Sequence, residues 1–216
     1  FWDVAILLGF QRVKAAPMGI AFMSSLRTKP AGKLDSQGFW LHSLAIALAL
    51  RTLSLAMPRN TRPLDDEIFL AGLLHDIGYM VLNHLDQKRS DELHTRISLE
   101  KDRPSVEIEA ELLEMNHCEL GAELAYLWNL PEAIVTVLRY HHDPENEHAA
   151  AGQPLVSMVN IAEKVLAPFG IFEHVTVDIS HEEWQALGID PAKADKLINQ
   201  ITKQAEEVKQ TAGSFL

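Results

Sequence analysis

A single cysteine, Cys118, is all the thiol the sequence offers, so no disulfide can form within the chain and a reducing, cytoplasmic setting is expected. Its sulfur is expected to be simply packed. The longest apolar stretch, Leu44 to Met57, is interrupted by Arg51 and too short to cross a bilayer, and no signal peptide is legible, so no membrane partner is expected. Basic residues are few: 19 Lys and Arg against 30 Asp and Glu leave a net charge of -11. That balance disfavours nucleic acid and anionic lipid, which are held through basic surface. There is no internal repeat and no low-complexity segment. The chain begins at Phe1 rather than Met, which suggests a piece of a longer protein or a missing start.

What is present is helical patterning. With 216 residues, 47% of them hydrophobic and 23% charged, the chain can bury a substantial core. Trp2 to Leu8 forms a first apolar segment ending near Gly9, and residues 27–38, with Pro30 and Gly32, read as a loop. Phe39 to Met57 predicts a long Leu/Ala-rich helix closed by Pro58. Asp65 or Asp66 is placed to cap the next helix, which kinks or ends at Gly78. Residues 86–102 are charged and poorly periodic, predicting a loop or an exposed helix. Ser105 opens an acidic helix to Met115, and Asn116 with Glu119 resembles a capping box that puts His117 in a first turn. Helices over 132–140 and 155–166 follow. Residues 169–179, rich in Val and Ile, are where a short strand is expected. Ser180 with Glu183 opens a short helix, and Asp190 with Pro191 begins a last one running to about Val208. The fold class is all-α, a multi-helix domain.

Ten histidines set the chemistry. Between Ile68 and Leu82 the only strongly polar residues are His75 and Asp76, and burying a carboxylate costs several kcal/mol unless a cation, a metal or hydrogen bonds compensate it. Adjacent helix residues project about 100° apart, so this doublet is at most half a site and needs partners from other segments. His42, His117, the pair His141 and His142, and Glu163 each lie on or at the end of a predicted helix with an apolar face. Imidazoles and carboxylates together suit iron, manganese or zinc, and helical bundles build such sites from facing helices. The competing reading is a metal-free hydrogen-bonded core, with His141 a plain helix cap and Glu163 in a surface ion pair with Lys164. His84, His94, His148, His174 and His181 lie in polar stretches and are expected to be solvated.

In order, these residues carry a likeness. His, His-Asp, further histidines and a late carboxylate resemble the HD superfamily of metal-dependent phosphohydrolases. The phrases FWLHSLAIA, FLAGLLHDIGYMVL, NHCELGAELAYLWNLPEAI, RYHHDP and MVNIAEKVLA resemble the HDOD domain, an HD-related output domain of bacterial signalling proteins. The resemblance implies that residues 1–38 are the end of a truncated N-terminal helical part with its connecting loop, and that 39–216 form the HD-like helical domain. It implies a metal set of His42, His75, Asp76 and Glu163, with His117, His141 and His142 extending it as a second-metal or outer layer. If the chain is a hydrolase, Asp76 and His117 are the expected catalytic residues.

The departures point to function. The late carboxylate is usually Asp, and here it is Glu163. Cyclic-dinucleotide phosphodiesterases of the HD-GYP type carry Lys soon after the doublet and a Gly-Tyr-Pro segment after the paired histidines. Here Tyr79 stands at the first place and Asp143-Pro144-Glu145 at the second. Two functions follow from the resemblance. The favoured one is a signal-transduction module without hydrolase activity that binds a protein partner or small-molecule signal and retains a metal site. The alternative is a metal-dependent phosphohydrolase acting on phosphomonoesters or diesters.

Overall fold

A computed structural model describes residues 32–169 and 178–213. Among the described residues ten α-helices follow one another: α1 Ser36–Ala56, α2 Asp65–Leu74, α3 Ile77–Leu85, α4 Gln87–Leu99, α5 Ser105–Leu112, α6 His117–Leu127, α7 Glu132–Tyr140, α8 Leu155–Val165, α9 His181–Ala186 and α10 Ala194–Gly213. Two 3₁₀ turns, Glu147–Gly152 and Pro191–Lys193, complete the order, and no strand occurs among the described residues. The segments 1–31 and most of the expected strand at 169–179 lie outside the described residues, as does His174.

The central element is α1, which packs against α2, α8 and α10. Asp35 accepts a hydrogen bond from the Gln37 amide at 3.1 Å and so starts the helix. Phe39, Ile46, Leu50 and Leu53 are fully buried along it. Arg51 does not break the apolar stretch; its side chain is exposed and the helix runs through, giving 21 residues apolar enough to cross a membrane by length and composition. Of its most apolar window, 61% is buried against the rest of the chain.

Two glycines let backbones touch. A Cβ on Gly72 would lie 2.4 Å from the Ala47 Cα, so α2 rests directly on α1. A Cβ on Gly78 would lie 1.9 Å from the His117 carbonyl oxygen, so α3 abuts the start of α6. Gly78 is therefore a contact point within α3 rather than the expected break. The chain bends earlier, between Leu74 and Ile77, where the axes of α2 and α3 differ by 41° and Asp76 takes φ -100°, ψ 10°.

Side-chain caps start α1, α4, α6 and α9. Asn116 Oδ1 accepts from the Glu119 amide at 2.9 Å and Glu119 Oε2 accepts from the Asn116 amide at 3.0 Å, a complete capping box that seats His117 in the first turn of α6. Ser180 and Glu183 form the same pair. Asp190 accepts from the Ala192 amide at 3.0 Å ahead of α10, which extends to Gly213, beyond the expected end. Neither Asp65 nor Asp66 caps α2: both lie in its first turn, where their charge suits the helix dipole, and Glu67 accepts from the Leu64 amide instead. Residues 87–99 are helical although poorly periodic, because only Ser90, Leu93 and Ile97 need burying. Helix α5 stops at Leu112, short of Met115, and its Glu111 pairs with Arg96 of α4 and with Arg103 of the connecting loop, each at 2.6 Å.

Replacing Gly78 by Ala forces α3 away from the α6 backbone. Overpacking of this kind costs on the order of 3 kcal/mol, which in a chain of this size lowers the melting temperature by about 6–12 °C. A thermal melt of Gly78→Ala that matches the native curve would show that the two helices separate without cost.

Candidate metal centre

Four side chains from α1, the α2–α3 bend and α8 converge. His42 lies on α1, Glu163 on α8, and His75 and Asp76 occupy the bend itself. Glu163 Oε1 is 3.0 Å from His42 Nε2 and 2.8 Å from His75 Nε2. Asp76 Oδ2 is 3.1 Å from His75 Nε2 and 3.7 Å from His42 Nε2. The bend answers the difficulty that adjacent helix residues diverge: interrupting the helix at the doublet lets both side chains turn to one point. Exposure is at most 3% for any of the four side chains.

The other oxygen of Asp76 faces a second group. Asp76 Oδ1 lies 3.4 Å from His141 Nε2 and 3.7 Å from His117 Nε2. His142 Nε2 and Cys118 Sγ stand 3.2 Å and 3.4 Å from His117 Nε2. Asp76 thus sits between two clusters, one of His42, His75, Asp76 and Glu163 and one of His117, Cys118, His141 and His142, in each of which the potential ligand atoms lie within 4.8 Å of one another.

Four of these rings are oriented in the same way. His42 Nδ1 donates to the Phe169 carbonyl at 2.7 Å, and His75 Nδ1 to the Gly72 carbonyl at 3.0 Å. His141 Nδ1 donates to the carbonyls of Leu138 and Val137 at 3.1 and 3.2 Å, and His117 Nδ1 to Glu109 Oε1 at 2.8 Å. Each anchor holds the ring with Nε2 turned inward, the arrangement by which backbone carbonyls and carboxylates orient metal-ligating imidazoles. His141 is thus both the expected cap of α7 and a contributor to the cluster.

The donor geometry fits a divalent ion. Ligands about 2.0–2.2 Å from one ion lie roughly 2.8–3.6 Å apart at octahedral or tetrahedral angles, close to the separations around Asp76 and Glu163. His75 Nε2, His141 Nε2 and both Asp76 oxygens are buried without a hydrogen-bond partner among the described residues, although each has another donor or acceptor nearby. His42 Nε2, by contrast, does have hydrogen-bond geometry to a carboxylate, at 3.0 Å to Glu163 Oε1.

In the bare chain the imidazoles and carboxylates of the first cluster neutralise one another as ion pairs. Burial is the largest influence on each group and opposes its charged form. At Glu163 it is outweighed by His42 and His75, and at Asp76 by His75 with His141 and His117, so both carboxyls titrate well below their usual range. Glu163 lifts His42 to about 9 against the effect of burial, and Asp76 and Glu163 lift His75 well above its ordinary value. His141 falls to about 4, because burial and the neighbouring His142 outweigh Asp76.

All seven of the expected site residues come together. Lys164 pairs with Glu183 at 2.6 Å, which leaves Glu163 to the core rather than to a surface ion pair. The solvated reading holds for His84, His148 and His181, which are exposed. It fails for His94, half-buried beside the Tyr79 ring at 5.6 Å, where burial lowers its pKa to about 4. The sequence also missed Glu109 and the contacts of Tyr79 with it and with His117. Glu109 is fully buried and accepts from the His117 amide at 2.6 Å, from the His117 ring and from the Tyr79 hydroxyl at 2.9 Å, while the Tyr79 ring stacks on His117 at 4.2 Å. The available signal was its place on the apolar stripe of α5 with Ile108 and Leu112, where a carboxylate needs a buried partner.

Comparison with known proteins identifies the domain. The HDOD domain pattern matches residues 4–144. The chain is 30% identical over 118 residues to an uncharacterized protein of Treponema pallidum, covering 53% of this chain but only 22% of that protein. Among solved structures, an HDOD domain protein of unknown function from Geobacter sulfurreducens superposes with TM-score 0.66 at 29% identity, over 88% of this chain and 68% of that one. A candidate signal transduction protein from Marinobacter aquaeolei VT8 superposes with TM-score 0.75 at 22% identity, over 91% of this chain and 43% of that one.

Two outcomes follow for the layer behind the ligands. Glu109→Ala strands three buried donors and is expected to cost roughly 3–5 kcal/mol, whereas Tyr79→Phe removes one hydrogen bond and costs about 1 kcal/mol; denaturant unfolding separates the two. His94 and His141 have folded pKa values below the unfolded 6.5, so the unfolded chain binds more protons between about pH 6.5 and 4. Stability is therefore full above that window and is lost as pH falls through it. In chelator-treated protein, His94→Phe should flatten this acid limb; an unchanged limb would mean that His94 titrates normally.

Proposed function

The chain belongs to the HDOD domain family, and on that premise we propose that it is a bacterial signal-transduction module that relays a signal by binding a protein partner or small molecule, hydrolyses no phosphate ester, and keeps a divalent metal in its core. The observation that carries the non-hydrolytic reading is closure. His75, Asp76 and His141 are fully buried, and His42, His117 and Glu163 are nearly so. A phosphoryl group needs an open face at the ligands. Only His142 is half-exposed.

The surroundings of the clusters support the same reading. None of the fully buried polar side chains among the described residues is Lys or Arg. Arg139, the nearest basic residue in sequence to the paired histidines, is tied to Glu123 at 2.8 Å. Tyr79, at the place where HD-GYP enzymes carry Lys, braces His117 from behind through Glu109. These side chains hold the core in shape and offer no clamp for a phosphate.

His42, His75, Asp76 and Glu163 would hold iron, manganese or zinc, since two imidazoles and two carboxylates suit first-row divalent ions. Such an ion supplies positive charge to neutralise the two buried carboxylates and, in a hydrolase, Lewis acidity toward a phosphoryl oxygen. The chain's own residues do the rest: carbonyls of Gly72 and Phe169 fix the imidazoles, and the bend fixes Asp76. The completeness of this donor set is what favours the alternative, a metal-dependent phosphohydrolase. The lone cysteine and the excess of acidic residues support a cytoplasmic module that binds no nucleic acid.

Manganese, iron or zinc should raise the melting temperature of the native chain through binding to the folded state, and should do so much less for His75→Ala. A native melting temperature unmoved by all three, in protein purified without metal, would leave a hydrogen-bonded network in place of a metal. With manganese supplied, turnover of a phosphodiester such as bis-p-nitrophenyl phosphate is expected to be absent. Turnover that disappears in a folded Asp76→Asn variant would replace this function with the hydrolase.

A further inference from the structure

Helix α10 is held differently from the rest of the domain. Among the described side chains of this 20-residue helix, Leu197, Ile201 and Ala205 are buried, a stripe with one apolar group at every fourth position. The opposite face, with Lys196, Gln200, Lys203 and Glu207, is exposed. Tertiary contacts of α10 fall chiefly on α1, with few on α8 and on the 3₁₀ turn before it. Across the α1 interface Thr52 Oγ1 donates to Gln204 Oε1 at 2.8 Å, a neutral hydrogen bond rather than an ion pair. None of the candidate ligands lies on α10.

The segment before it is firmly anchored. Trp184, Leu187 and Ile189 are almost wholly buried, the Ile189 amide donates to the Trp184 carbonyl at 2.9 Å, and Glu183 pairs with Lys164 of α8. Gly188 takes φ 68°, and a Cβ there would lie 2.9 Å from Pro58, just beyond the end of α1. A fixed anchor is therefore followed by a helix that rests on three apolar side chains. Helix α1 also packs on α2 and α8, so it keeps partners without α10. Isolated helices are marginal in water, and an element with few buried contacts opens at lower free energy than the core around it. Opening at the turn Pro191–Lys193 uncovers the part of α1 around Thr52.

We propose that α10 is a strap that opens from α1 as a unit while the rest of the domain stays folded, and that the face of α1 it uncovers receives an amphipathic helix of a protein partner. The partner's chemistry is read from what occupies that face in the closed chain. It carries apolar side chains at i, i+4 and i+8, as at Leu197, Ile201 and Ala205, and an uncharged polar group at i+7 to meet Thr52, as at Gln204. A helix bound there replaces one of the supports of α1, the helix that carries His42, and so acts on the core. The inference rests on the reading of the chain as a signalling module that engages a protein partner, and names the surface and the pattern that partner presents. Because α10 occupies the face in the closed chain, the apparent affinity of a partner is reduced by the fraction of molecules that are open.

Amide hydrogen exchange of the native chain, without added metal, reads the opening directly. The α10 amides are expected to exchange roughly 100-fold or more faster than the protected amides of α1 and α7, with a weaker dependence on denaturant. Exchange of α10 only together with those helices would overturn the proposal. The probe for the uncovered face is a fluorescein-labelled synthetic peptide of residues 190–213, added to the full chain. Ile201→Asp in the chain removes the internal competitor, so the peptide is expected to bind that variant about tenfold or more tighter than the native chain, and a peptide carrying the same substitution is expected not to bind. Peptide affinity unchanged by Ile201→Asp, or loss of protection throughout that variant rather than in α10 alone, sinks the strap. Dimerisation of the native chain by exchange of α10 would make the occupant a second copy and overturn the partner assignment. Turnover of a phosphodiester overturns the signalling reading and leaves these exchange and binding results untouched, so the two failures are distinguishable.

Discussion

A carboxylate with no access to water sits at the centre of this molecule. Transfer of Asp76 out of solvent costs several kcal/mol unless opposite charge surrounds it, and the fold supplies that charge from four segments. Imidazoles from α1, the α2–α3 bend, α6 and the end of α7 approach its two oxygens, Oδ2 on one side and Oδ1 on the other. Most other features near the core serve this convergence. The 41° bend aims the doublet, Gly72 lets α1 bring His42 close, and Gly78 lets α6 bring His117.

Rigid placement of the imidazoles depends on a second layer that is mainly backbone. Three of the four inward-facing rings donate Nδ1–H to a carbonyl, and the fourth donates to Glu109, itself fixed by Tyr79 and the start of α6. Asn160 donates to the His141 carbonyl at 2.8 Å and so locks the end of α7 to α8, the helix that carries Glu163. Because the candidate ligands hang from α1, the α2–α3 bend, α6, the end of α7 and α8, shifting any one helix changes the shared site. This suits a module that transmits a signal, since an event at a remote surface that shifts one helix alters a network joining most of the domain.

The proposed function turns on what such a core leaves open. Six of the seven residues with the chemistry to hold a metal are almost wholly buried, and on that proposal no face of the cluster receives a phosphate. Retention of the polar cluster is then a matter of folding energetics. Removing one partner leaves a buried charge uncompensated, whereas the whole set is mutually satisfied or filled by an ion. A hydrophobic replacement would have to change many positions at once.

The sequence alone determined the class and most of the elements. Apolar runs of helical length, the Asn116 and Ser180 capping boxes and the proline punctuation are local features, and local features are written where they act. The candidate ligands were legible for the same reason: a His-Asp doublet within an apolar run demands partners, and the residues able to supply them are few. Only tertiary structure decided how the doublet reaches one point, because the break at His75 and Asp76 is set by packing of α2 on α1 and α3 on α6, and no helix breaker marks it in the sequence. Nor could sequence single out Glu109 among the acids of α5, keep Glu163 from pairing with Lys164, or place Cys118 beside three imidazoles. Those outcomes depend on which faces of separate helices meet, a relation between segments far apart in the chain that no single stretch of it contains.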